Sequence, residues 1–105
     1  MDRTKKQPRP KLKHRKALAM TLNREPFDAI VAGEKKTEYR ENKAFWRKRL
    51  IGIRYEEVHF RNGYSATAPF LRVEYRGLWK YGKGRGSYFG IRLGQILEIR
   101  HYKRA

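Results

Sequence analysis

The chain has 105 residues, 39% of them hydrophobic and none of them cysteine, and it carries 27 Lys and Arg against 10 Asp and Glu for a net charge of +17. That length suits one domain with its own core and is too short for two; disulfides and thiolate chemistry are excluded, and no apolar run reaches the ~18 residues of a membrane-spanning helix. A polyanion is the natural partner for such a charge, because each phosphate neutralised releases condensed counterions; an anionic membrane is the weaker competitor, since neither a long amphipathic helix nor a lipidation motif is present.

Residues 1–16 hold eight cations, from Arg3 to Lys16, against Asp2 alone, a local +7 that leaves +10 on the remainder. With Pro8, Pro10 and few apolar side chains, this segment is expected to be a flexible basic arm, either tracking a phosphate backbone or serving only as a solubilising tail. No apolar stretch of signal-peptide length follows it, which predicts a cytoplasmic protein. The folded domain is expected over residues 17–105. Its first strand is read over Ala17 to Leu22, where Leu18, Met20 and Leu22 alternate.

A short helix is predicted from Arg24 to Ala32, with Asn23 as N-cap, Pro26 in the first turn, and Phe27, Ile30 and Val31 on one face. Gly33 can take the left-handed conformation that ends a helix, and Lys36 to Glu41 has the period of a strand. A second helix with a basic outer face is predicted over Asn42 to Leu50, capped by Asn42, with Phe45, Trp46 and Leu50 at helical offsets amid Lys43, Arg47, Lys48 and Arg49. Trp46 reads as a core anchor, with stacking on a base as the alternative.

Strands are expected from Tyr55 to Arg61, ending at the Asn62-Gly63 turn signal, and from Phe70 to Arg76, which Gly77 to Tyr81 extend through a bulge. Lys80 to Ser87 interleaves glycines with cations. It is neither a Walker loop nor a dinucleotide fingerprint, and it reads either as a mobile basic hairpin or as an anion-binding nest using Lys83, Arg85 and Ser87. Two last strands, Tyr88 to Leu93 and Gln95 to Tyr102, are expected to turn at Gly94. His14, His59 and His101 lie far apart without ligand spacing, so no metal and no cofactor is predicted.

The chain is organised around Gly33 to Arg40. In a strand Glu38 and Arg40 share a face, with Lys35 at the turn leading into it. One reading makes this an ordinary surface ion pair beside a solvated lysine. The other has Arg40 holding Glu38 in place while Lys35 meets a ligand.

The run Gly33, Lys35, Glu38, Arg40 has the form G-x-K-x-x-E-x-R and resembles the signature of the ASCH domain, a member of the PUA-like superfamily. The helix before it, Phe45-Trp46-Arg47, and Tyr88-Phe89-Gly90-Ile91-Arg92-Leu93-Gly94 are also similar, so the resemblance covers roughly residues 18 to 100. It implies an α+β fold, a small PUA-like β-barrel of about five to six strands flanked by two short helices, with the motif lining a cleft. It also implies binding of RNA, modified bases or nucleotides, with some members acting as ribonucleases or as amidohydrolases on acetylated cytidine.

On this basis the expected function is nucleic-acid binding, RNA before DNA, by a monomer whose Lys/Glu/Arg cleft contacts a nucleotide or phosphate. Binding contacts are expected from Tyr39, Arg40, Trp46, Arg47, Lys83, Arg85, Ser87 and Tyr88. The alternative is a metal-independent ribonuclease with Lys35 and Glu38 as catalytic candidates, Lys35 stabilising charge or acting as a base and Glu38 moving the proton. Cytidine deacetylation is the weakest expectation: members with that activity use a threonine where this chain has Glu38, and a carboxylate from a later helix that has no counterpart here.

Overall fold

The computed structural model of the chain describes residues 12–103. The arm expected over residues 1–16 lies outside the described residues up to residue 11. From Lys13 it is strand: β1 (Lys13–Thr21) pairs Lys13 to Arg15 in parallel with Ile53 to Tyr55. A ladder is made by backbone groups, so a cationic segment can join it where its side chains stay in water or find acids. Lys16 does find them, with Nζ 3.4 Å from both Glu56 and Glu57.

The remaining elements are α1 (Arg24–Val31), β2 (Thr37–Glu41), α2 (Ala44–Leu50), β3 (Ile53–Arg61), β4 (Phe70–Tyr81) and β5 (Tyr88–Arg100). The five strands form one mixed sheet in the order β1-β3-β4-β5-β2, parallel at β1 and β3 and antiparallel elsewhere. The molecule is therefore α+β with two short helices, and its sheet is open. β1 and β2 form opposite edges that do not pair, so the expected closed barrel is not formed among the described residues. β2, with five residues, offers only a short edge for closure.

Burial follows the apolar alternation. Leu18, Met20, Val58, Phe60, Leu71, Val73, Phe89, Ile91 and Leu93 from the strands meet Leu22, Phe27, Ile30 and Leu50 from the helices and their flanks. Each such side chain contributes roughly 1.5–3 kcal/mol on full burial. Phe27 and Ile30, one turn apart on α1, are both buried, and Phe27 also meets the Tyr102 ring at 5.6 Å.

Two local expectations change. β5 is one strand of 13 residues, so Gly94 is not a turn. A Cβ at Gly94 would lie 2.4 Å from Arg76 Nε and 2.5 Å from Glu74 Oε1, so the missing side chain makes room for that ion pair on β4. The cap of α2 is Lys43, not Asn42, whose side chain is used elsewhere. At Gly77, φ is 123° where the β4–β5 register slips, in line with the expected bulge.

Candidate nucleic-acid interface

The corner between α1 and β2 is built by the backbone. Gly33 has φ of 80°, its N–H donates to Ile30 O at 3.0 Å, and the Glu34 N–H donates to Ala29 O at 2.9 Å. This is the Schellman closure, which needs a left-handed residue at its centre. The Lys35 N–H adds a third bond, 3.1 Å to Ala29 O, and so Lys35 is fixed at the mouth of β2.

In β2, Glu38 pairs with Ile91 and faces the core; it is 5% exposed. Arg40, two residues on, donates from Nη1 to Glu38 Oε2 and, at 2.7 Å, to Tyr39 O. Lys35 Nζ lies 3.4 Å from Glu38 Oε1, an oxygen with no hydrogen-bonding partner among the described residues. The three charges converge on one patch, with both Lys35 and Arg40 turned to Glu38. Glu38 is enclosed between two cations and lines none of the clefts described below. Trp46 is half-buried against the core, with the Arg40 guanidinium 5.2 Å from its ring centroid. It is a core anchor whose ring supports Arg40.

Arg40 links this triad to a cleft of about 510 Å³ at the end of β2, which Tyr39, Asn42, Lys43, Arg85, Ser87 and Tyr88 also line. The loop from Gly82 to Ser87 turns the β4–β5 hairpin through three glycines of positive φ, at 82, 84 and 86. Ser87 is buried: its Oγ accepts from Asn42 Nδ2 at 2.9 Å and its carbonyl from the Asn42 N–H at 3.1 Å. Arg47 donates to Asn42 Oδ1 at 2.9 Å. Asn42, expected to cap a helix, thus ties loop, strand and α2 together. Lys83 is exposed on the loop outside the cleft lining, and Lys35 lines a separate shallow cleft with Gly33, Leu93 and Gly94.

The opposite face of β2 carries Tyr39, whose ring lies 6.1 Å from Tyr81 and 5.7 Å from Tyr88, while Tyr81 and Tyr88 stack at 5.1 Å and 16°. Tyr81 was not among the expected contacts. Period two along Gly77 to Tyr81 puts it on one face with Trp79, but only the register of β4 on β5 brings that face to Tyr39.

A second polar cluster lies on β3, β4 and β5. Glu57 is buried, accepts Arg72 Nε at 2.8 Å and Nη2 at 3.0 Å, and lies 2.9 Å from His59 Nε2. These bonds, the Arg72 pair first, hold its carboxyl down at about 2. Arg72 also donates to Glu98 at 2.9 Å, which lowers that carboxyl too. No helix among the described residues is long and apolar enough to cross a membrane. No family model, no curated protein and no solved structure matches this chain.

Proposed function

We propose that this protein binds nucleic acid, RNA in preference to DNA, as a cytoplasmic monomer resembling the ASCH domains. On this reading the fold is a PUA-like barrel whose seam between β1 and β2 stays unpaired. The observation that carries it is Arg40: Glu38 and the Tyr39 carbonyl take its Nη1, Trp46 supports its plane, and it stands at the rim of a cleft shared with Arg85. A guanidinium fixed in this way loses little freedom on gripping a phosphate or a nucleotide edge, and a net charge of +17 supplies the long-range attraction.

Binding accounts for Glu38 better than catalysis does. A general base must reach the proton it takes, whereas Glu38 is buried between Lys35 and Arg40. Its role here is to orient Arg40.

The test is incubation of the intact protein with labelled single-stranded RNA and DNA, following retention and cleavage together. Retention without cleavage is expected, weakened about tenfold in Arg40→Ala, the equivalent of ~1.4 kcal/mol. Cleavage that disappears in Lys35→Ala would make the protein a ribonuclease instead. Failure to retain either nucleic acid at low salt would end the reading.

A further inference from the structure

We propose that the face of the sheet carrying Tyr39, Tyr81, Tyr88 and Trp79 is a stacking platform for unpaired bases, which makes the ligand a single-stranded nucleic acid; this rests on the nucleic-acid reading above. The argument begins with register. Tyr39 pairs with Gly90 and Gly90 with Trp79, giving one cross-strand row. Glu41, Tyr88 and Tyr81 give the next, and Thr37, Arg92 and Gly77 the row on the other side. Residues two apart on a strand share a face, so the rows lie about 7 Å from one another on a single surface.

The aromatic rings of this surface are unusually open to water. Tyr39 is 48% exposed, Tyr88 41% and Trp79 51%. At the centre, Gly90 leaves a hollow: a Cβ there would stand 2.7 Å from Tyr81 Cε2 and 3.1 Å from Thr37 Cγ2. The glycine lets the Tyr81 ring lie across the row and stack with Tyr88 at 5.1 Å. Ring faces on a sheet are what bases stack on, whatever their sequence, because every base has a π-face.

Charge selects the occupant. Lys35 Nζ is 5.5 Å from the Tyr39 ring centroid and the Arg92 guanidinium 4.9 Å from that of Trp79. At the other end the exposed Lys83 and Arg85 sit on the loop joining Tyr81 to Tyr88. The acids here are themselves ion-paired, Glu41 with Lys43 at 2.9 Å and Glu74, which lies over Gly94, with Arg76 at 2.8 Å. Rings bordered by cations at both ends suit bases strung on phosphates. A duplex hides its base faces and does not fit.

The test uses the intact protein and a labelled oligouridylate of about ten nucleotides, with Tyr39→Ala, Trp79→Ala and the conservative Tyr39→Phe, all checked for fold by circular dichroism. Each alanine variant should lose between about fivefold and a hundredfold in affinity. The slope of log affinity on log salt should stay unchanged, because no phosphate contact is removed. Tyr39→Phe should retain binding. In the wild-type protein the oligonucleotide should quench tryptophan emission, and a duplex of equal length should bind at least about tenfold more weakly; these two readings decide the matter even if a variant fails to fold. Variants that bind like wild type, or a duplex bound as tightly as the single strand, would overturn the platform and leave nucleic-acid binding standing. Polyglutamate displacing the oligonucleotide mole for mole would assign the face to an acidic polypeptide. No binding to any oligonucleotide would remove the parent reading as well.

Discussion

Glu38 is 5% exposed, with Lys35 Nζ at 3.4 Å on one oxygen and Arg40 on the other. Replacing it by glutamine leaves two cations part-buried and facing each other without an anion, a loss that costs about 3 kcal/mol where such pairs are buried. Urea unfolding of Glu38→Gln should therefore show a large drop in midpoint with little change in slope. A loss below about 1 kcal/mol would put the triad with ordinary surface pairs. Glu57, on the other side of the sheet order, accepts hydrogen bonds from Arg72 above all. Its carboxyl sits at about 2 instead of 4.5, so the unfolded chain binds that proton more tightly than the folded one. The stability it contributes is complete above pH 4.5 and drains away as the pH falls toward 2. Unfolding midpoints measured from about pH 6 down to pH 3 should fall more steeply for wild type than for Glu57→Gln; parallel curves would sink this account. Glu57 could be placed on a strand from its alternation with Val58 and Phe60, but its partner Arg72, and Glu98 on the far side of that guanidinium, come from two other strands and leave no local mark.

Among the elements, those set by local chemistry were legible. α1 lies within the span its apolar spacing predicts, and Gly33 ends it because the closure requires a positive φ there. Sequence alone makes Gly94 a turn, yet it lies inside β5, where it clears space for Arg76 and Glu74. A glycine in sequence signals either unusual backbone or close approach, and only the neighbouring strand tells which. The two glycines should accordingly respond differently to alanine. Gly33→Ala forces an L-residue into the left-handed region, at a cost of roughly 1–2 kcal/mol, and should lower the thermal midpoint. At Gly94 the obstructing atoms, Arg76 Nε and Cγ and Glu74 Oε1, belong to side chains and not to backbone. Gly94→Ala should shift the Arg76–Glu74 pair aside and change stability by less than about 1 kcal/mol. Equal losses at the two positions would mean that backbone conformation is not what distinguishes them.

For the whole molecule, composition reveals more than any motif, since +17 on 105 residues already points to a polyanion. What composition cannot reveal is where the charge is concentrated. Tyr39, Trp79 and Tyr88 are spread over 50 positions of sequence, and it takes the strand order β4-β5-β2 to gather them beside Lys35 and Arg92. The open sheet was equally illegible, because closure depends on whether two edges meet, and pairing of edges is not written in either strand alone. The charge does make a quantitative demand on binding. If about five phosphates of a single strand are neutralised, log affinity falls with log salt at a slope near −3.5, a loss on the order of a hundredfold between about 50 and 200 mM salt. Residues 1–11 carry five cations and Asp2, so +17 less that +4 leaves +13 on a chain beginning at Leu12. Fluorescence anisotropy across a salt series should give a straight line for both chains, shallower for the shortened one only if the arm itself meets phosphates. Identical slopes would assign every phosphate contact to residues 12–105, and an affinity indifferent to salt in the full chain would show that its charge is not what holds the ligand.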